Sequence, residues 1–266
     1  MSDFVLPVRK GGLGNQLFQV AAAVIYGKET DRRVVLPLEQ PHVHTTGLDY
    51  RDTVFREFPR MDRVMDGTAI EQLKAAGFSI HPGEPGFEPW SIHTVEGNIL
   101  LHGYFQYYPP IGKYEEQIRR LFLDTLPIVK QNSSWVGIHV RRGDFLKPPH
   151  SEVHYVQTEA YYQKALKNFN TELVSFKIFS DDLEWCKSQP FFQKLVKKEF
   201  VEESNEIKAL ARMAECAGGF ICANSTFSWW GAFLGAYHFR APICVPKDWM
   251  RGHDTRELFP REWIHI

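Results

Sequence analysis

Long apolar runs are missing from this chain of 266 residues. The longest clean stretch, Val20 to Tyr26, falls far short of the roughly 20 residues that cross a bilayer. Cysteine is scarce, and its four copies (Cys186, Cys216, Cys222, Cys244) all lie in the C-terminal half without a C-x-x-C pair. That pattern speaks against a disulfide framework and against a zinc site, and it predicts four reduced, buried thiols. Net charge is almost absent as well. The 31 Lys and Arg offset 32 Asp and Glu to leave −1, so nothing draws the chain broadly to nucleic acid or to an anionic membrane. An anionic ligand would need a local cluster of arginines or lysines. There is no D-x-D pair, no H-E-x-x-H and no G-x-S-x-G elbow, so no metal and no serine nucleophile is expected. No basic leader with an apolar core opens the chain. The expectation is a chain neither secreted nor anchored, hence cytoplasmic, with peripheral membrane association left open.

What is present is ordinary globular composition, 44% hydrophobic and 24% charged, which excludes disorder and low-complexity classes. The C-terminal half alternates strand and helix patterns. Trp135–Val140 reads as a buried parallel strand. A helix over Thr158–Phe169, a strand over Ser175–Phe179 and a helix over Asp182–Val196, interrupted at Pro190, follow it. After a short strand at Phe200–Val201 come a helix over Glu206–Cys216, a strand over Phe220–Ala223, a helix over Thr226–Tyr237 and a last strand over Ala241–Val245. Such alternation with short connections is the signature of a doubly wound parallel sheet.

The N-terminal half starts the same way, with a strand over Phe4–Val8, a glycine turn, a helix over Asn15–Glu29 and a strand over Arg33–Leu36. Pro41–Trp90 reads as loops around one helix near Ala69–Ala76. A strand over Asn98–Phe105 and a helix over Lys113–Leu123 complete this half. A boundary near Asp124–Pro127 gives two α/β domains, 1–126 and 127–266. The expected ligand position is the crevice between them, at the carboxyl ends of the strands.

Three strand-to-helix junctions carry chemistry. Gly11-Gly12-Leu13-Gly14-Asn15-Gln16 lets a ligand approach backbone amides closely. Leu17 stands where a dinucleotide fingerprint needs a small residue, and no Lys-Ser or Lys-Thr makes it a Walker A loop. A plain tight turn and a polar-ligand loop both remain open. In His139-Val140-Arg141-Arg142-Gly143-Asp144, His139 and Arg141 share a face at a strand's end. Paired guanidinium groups there suit a phosphate, and a solvated basic pair with Asp144 as counter-ion is the competing reading. In Cys222-Ala223-Asn224-Ser225-Thr226, Asn224 or Ser225 caps a helix whose first amides and hydroxyls form a phosphate cradle. Trp229 and Trp230 are expected to pack that helix on the sheet. Asp181 and Asp182, also after a strand, either hold ribose hydroxyls or cap a helix.

Gly-Gly-Leu-Gly-Asn-Gln-Leu-Phe-Gln (11–19), His-Gly-Tyr-Phe-Gln (102–106), His-Val-Arg-Arg-Gly-Asp (139–144), Phe-Ser-Asp-Asp (179–182) and Asn-Ser-Thr-Phe-Ser-Trp-Trp-Gly-Ala (224–232) occur in this order along the chain. Together they resemble the motifs of glycosyltransferase family 11, the α-1,2-fucosyltransferases. The resemblance implies a GT-B fold, with two Rossmann-like doubly wound domains facing across a cleft. It further implies a GDP-β-L-fucose donor and metal-independent, inverting transfer to galactose O2 of a β-galactoside, with no cofactor. By the same resemblance Arg141 binds the β-phosphate and stabilises departing GDP, supported by His139 and Arg142. Asn224, Ser225, Thr226 and Phe227 would hold the diphosphate, and Gly12, Gly14 and Asn15 would reach it from the other domain. Asp181 and Asp182 would contact the nucleotide. Asp144 acts either as general base or as the group that orients Arg141. The chain departs from the family at Asn205-Glu206, where an aspartate is usual. The acceptor-side stretch Pro41–Trp90 has no matching motif.

Overall fold

In the computed structural model, which describes residues 3–38, 50–83, 87, 89–92, 96–127 and 134–266, the chain folds as two units. One comprises Met1–Thr125 with Arg256–Pro260, the other Leu126–Thr255 with Arg261–Ile266. The C-terminal segment Arg256–Pro260 thus belongs with the first unit, although chain order sets it among residues of the second.

The first unit runs β1 (Phe4–Pro7), α1 (Leu13–Thr30), β2 (Arg33–Val34), β3 (Leu36–Leu38), β4 (Arg60–Val64), α2 (Gly67–Ala75), β5 (Ser79–Gly83), β6 (Ile99–Gly103), α3 (Tyr108–Lys113) and α4 (Glu115–Leu123). Its main sheet is parallel in the order β2-β1-β6-β5. Leu17, Phe18, Val20, Ala21 and Ala23 bury α1, the helical spacing that its sequence shows. Where strand Arg33–Leu36 was expected, the chain instead breaks at Val35, and β3 leaves to pair with β4. Pro37 lacks the N–H that a further place in the main sheet would need.

The Pro41–Trp90 stretch holds more order than the loop expectation allowed. Residues 41–49, 84–86 and 88 lie outside the described set, but β4 and β5 are strands, and Asp66 caps α2 by accepting from the Ala69 amide at 2.7 Å. β5 was illegible because Ile80 is its one strongly apolar residue. Pro82 is tolerated there because β5 is an edge strand. The helix expected at Lys113–Leu123 is α4, and a separate helix, α3, which opens with Pro109 and Pro110, precedes it across a break at Tyr114, where φ is −118° and ψ 27°.

The second unit runs β7 (Trp135–Val140), α5 (His150–Val153), α6 (Glu159–Leu166), β8 (Ser175–Ser180), α7 (Leu183–Ser188), α8 (Pro190–Gln193), β9 (Lys197–Phe200), α9 (Glu206–Ala214), β10 (Gly219–Ile221), α10 (Thr226–Leu234), β11 (Ile243–Val245) and β12 (Ile264–His265). Its six strands are all parallel in the order β12-β11-β10-β7-β8-β9. Counted within the unit this is the doubly wound 3-2-1-4-5-6 order. The strand order reverses between β7 and β10, and ligands gather outside such a reversal. The break at Pro190 falls where the sequence puts it. The short strand read at Phe200–Val201 is β9, begun earlier by Lys197-Lys198-Glu199, charges that suit an edge strand but hide it from a hydrophobicity reading. β12 adds a strand beyond the expected last one.

All four cysteines are buried and free. Burial pushes the thiols up, Cys186 to about 11 and Cys216 and Cys244 to about 12. Trp229 and Trp230 are fully buried, Trp229 stacking on Phe233 at 4.9 Å and tilting on Trp263 at 5.5 Å. They pack α10 on the sheet, as expected. Lys177 in β8 is only 8% exposed and is held by Glu215 at 2.6 Å and by the Trp135 ring at 5.5 Å. Removing one partner of a buried pair leaves an uncompensated charge. Glu215→Ala is therefore expected to lower unfolding stability by about 3 kcal/mol. Urea titration checks this, with Glu215→Gln expected to lose less.

Candidate functional site

β7 and β10 are neighbours, Ile138 lying opposite Ile221, so the segments that follow them leave the sheet side by side at the strand-order reversal. His139 and Phe227 join the two, their rings edge to face at 6.0 Å. The motif after β7 and the motif that opens α10 are therefore one site.

Arg141 is the centre of an ion-pair cluster. Its Nη2 lies 2.6 Å from Asp144 Oδ1 and its Nη1 3.1 Å from Asp181 Oδ2. Its side chain remains 29% exposed, enough to present guanidinium N–H groups to a ligand. Gly143 opens a short 3₁₀ turn, Gly143–Leu146, that carries Asp144. A Cβ at 143 would meet Asp181 Oδ2 at 2.5 Å, so glycine is what lets Asp181 reach beneath the turn. Asp181 also accepts the Arg142 backbone N–H through Oδ1 at 2.9 Å.

These contacts give several of the expected site residues partners within the protein. Arg142 donates from Nε to Asp182 at 3.0 Å and lays its guanidinium over the Trp185 ring at 4.1 Å. Asp182 Oδ1 meanwhile accepts from the Trp185 amide and caps α7. Asp181 and Asp182 thus hold the arginines because the end of β8 lies beside the end of β7, and of the two readings left open for this pair Asp182 takes the helix cap. Asp144, left open as base or orienter, is engaged with Arg141. Asn224 was expected at the donor and is instead 2% exposed. Its Nδ2 donates to the carbonyls of Tyr155 and Trp249 at 2.8 and 2.9 Å, pinning two loops. Asn205 caps α9, its Oδ1 accepting from the Ile207 and Lys208 amides.

At α10 the N-cap is Ser225, with no side-chain cap bond. The first bond of the ladder runs from the Trp229 N–H to the Ser225 carbonyl at 3.0 Å. The amides of the first turn, Phe227 among them, precede that ladder. A helix start of this kind favours an anion through its aligned dipole. Ser225, Thr226 and Phe227 therefore stand where the sequence puts them, beside the β7 motif.

His139 is 6% exposed, and burial, with Arg141 adding to it, pushes its pKa from 6.5 down to about 3. It is neutral at physiological pH and supplies no charge to a phosphate. Below pH 6.5 the unfolded chain binds a proton that folded His139 excludes. Stability should therefore fall with decreasing pH between about 6.5 and 3, by up to about 1.4 kcal/mol per pH unit from this residue. His154 and His265 shift the same way. Urea denaturation from pH 4 to 7 should show this slope, and His139→Gln should make it shallower.

In the first unit, Gly12 is the N-cap of α1 without a side-chain cap, and the space beside its Cα is open. Gly14 lies in the first turn of that helix. The glycine whose conformation is obligatory is Gly11, at φ +79° against the Asn15 side chain. Asn15 Oδ1 accepts from Gln106 Nε2 at 3.0 Å, which ties the loop after β1 to the segment after β6. Lys10 lies 4.6 Å over the Tyr104 ring in the same region. Gln106 and Tyr104 belong to the 102–106 motif, whose residues carried no role by spacing alone. The pairing of β1 with β6 is what reveals one. Among the described residues, no group of three or more His, Cys, Asp and Glu side chains could hold a metal ion, and no helix is long and apolar enough to cross a membrane.

The arrangement is similar to known proteins. An α-1,2-colitosyltransferase of Escherichia coli is 26% identical, over 96% of this chain and 96% of its own. A galactoside α-(1,2)-fucosyltransferase 1 of Ateles belzebuth is 28% identical, over 96% of this chain and 73% of its own. The crystal structure of POFUT1 in complex with GDP-fucose has a similar fold, with a TM-score of 0.51 at 13% identity over 92% of this chain and 98% of that one. The family described as Glycosyl transferase family 11 matches residues 112–266, which span the whole β7 to α10 site, and the chain therefore belongs to glycosyltransferase family 11.

Proposed function

We propose that this glycosyltransferase moves L-fucose from GDP-β-L-fucose to the 2-hydroxyl of a terminal β-galactoside, with inversion at the anomeric carbon and without a metal ion. The observation that carries the reading is the His139–Phe227 contact, which brings the segment of Arg141 beside the first turn of α10. Family membership and the names of the relatives supply donor and linkage. A GT-B organisation of two Rossmann-like units belongs to the same reading, supported by the parallel sheets and by the second unit's strand order.

In the proposed step the oxygen of the acceptor 2-hydroxyl attacks fucose C1 while the bond from C1 to the phosphate oxygen breaks, GDP leaves with the bonding pair, and the hydroxyl proton is released to solvent water. Negative charge grows on the β-phosphate, and fixed donors aimed at growing charge lower the barrier. Arg141 and the α10 amides are those donors, so positive charge comes from the protein and no cation is needed. The ion pair with Arg141 favours Asp144 as its orienting partner over a general base. Four buried free thiols support a cytoplasmic setting.

Purified protein incubated with GDP-fucose and lactose, with and without EDTA, is expected to release GDP and form fucosyllactose equally in both. NMR of the product is expected to show the α-1,2 linkage. Loss of product in EDTA overturns the metal-free mechanism, another linkage overturns the acceptor position, and no binding of GDP by folded protein overturns the whole reading. The colitosyltransferase relative favours a second donor, the colitosyl nucleotide, as a parallel arm.

A further inference from the structure

The first unit carries a pocket at the end of α1 remote from the glycine turn. Gly12 caps the start of α1, and at 1.5 Å per residue its last turn, near Lys28, lies about 24 Å away. There a cavity of about 340 Å³ opens between α1, β2, the Phe58–Pro59 turn and α4, at the lower end of the range for small-molecule sites. Val24, Val34, Phe58 and Leu121 give it an apolar floor, Lys28, Arg32 and Arg33 stand around it, and none of its lining side chains is acidic.

Arg33 in particular lacks a counter-charge among the described residues: it is exposed and its guanidinium has no hydrogen bond or ion pair there. Lys28 donates to the neutral amide of Gln117 and lies 4.9 Å over the Tyr114 ring. Glu29, its chain neighbour, is taken by Lys113 and Tyr114. Arg32 donates to the carbonyls of Thr30 and Gly97. The dipole of α1 accounts for a cation in its last turn. It does not account for three of them around an apolar cavity.

We propose that this pocket binds a single-chain amphiphilic anion, its alkyl tail on Val24, Val34, Phe58 and Leu121 and its anionic head against Lys28, Arg32 and Arg33. Guanidinium groups favour oxyanions with two accessible oxygens, and the volume suits one chain. The site stands apart from the transferase reading and survives if that reading fails.

Calorimetric titration of the full chain with hexyl, octyl and decyl phosphate, each below its micelle concentration, tests it. One saturable site is expected, tightening roughly fourfold per added methylene until the pocket is full. Inorganic phosphate and 1-octanol should each bind at least tenfold more weakly than octyl phosphate. Lys28→Glu with Arg33→Glu should weaken octyl phosphate at least tenfold and leave GDP binding unchanged. The milder Arg33→Gln serves as a second variant should the pair fail to fold. Inorganic phosphate matching octyl phosphate would mean a plain anion patch, and octanol matching it a plain apolar groove. Binding that ignores folded variants would lie elsewhere. Each of these overturns the proposal.

Discussion

Arg141→Ala is expected to leave only a trace of transfer, with kcat down on the order of 10²–10³, the usual cost of losing one donor to a developing anion. The cluster's charge makes the upper end the better expectation. Arg141 and Arg142 face Asp144, Asp181 and Asp182, two positive charges against three negative. Without Arg141 the balance becomes one against three, and the diphosphate would meet two carboxylates that have lost its guanidinium. Arg141→Lys should recover little. An ammonium keeps the charge but cannot bridge Asp144 and Asp181 with two terminal nitrogens while presenting further N–H groups. Steady-state kinetics in GDP-fucose, with circular dichroism to show the fold intact, measure the effect. A variant that keeps more than a tenth of wild-type kcat would remove Arg141 from the reaction.

Asp181→Asn carries the second large effect, although Asp181 is placed to act through Arg141. Its Oδ2 would become an amide N–H facing the Arg141 Nη1 now 3.1 Å away, donor against donor. The Oδ1 acceptor for the Arg142 amide survives, so the turn beneath Gly143 is kept. A hydrogen bond to a charged group contributes about 1.5–3 kcal/mol, which translates to a loss of about ten- to a hundredfold in kcat. The loss should fall on kcat more than on KM for GDP-fucose, because phosphate charge grows only as the glycosidic bond breaks. An equal loss in GDP affinity, or a drop in Tm without a change in kcat, would make Asp181 a merely structural residue.

The alternation of apolar strands with amphipathic helices was legible in the second unit because its central strands are buried on both faces and read as plain apolar runs. Edge strands were less legible, although β2 was read at Arg33 and the end of β9 at Phe200. β5 carries Pro82 and β9 opens on Lys197 and Lys198, and both are stabilised by a neighbour's backbone, which leaves no hydrophobic period to read. The placement of Arg141, Ser225 and Thr226 was legible, since they sit at strand and helix ends that spacing alone locates.

Partners were beyond spacing. Asp181 and Asp182 lie about forty places from Arg141 and Arg142, and a carboxylate after a strand looks the same whether it meets a ribose or a guanidinium. The parallel register of β8 on β7 decides it, bringing Ser180 opposite Val140 and so setting the next residues of each strand within ion-pair reach. Asn224 is a similar case, its amide held by Tyr155 and Trp249. The sequence by itself determined the α/β class and the strand and helix ends at which Arg141, Ser225 and Thr226 lie, because these follow from local pattern and residue type. Only the tertiary structure decided which carboxylates hold that arginine and that His139 is neutral, because ion pairing and desolvation depend on what long-range packing brings near.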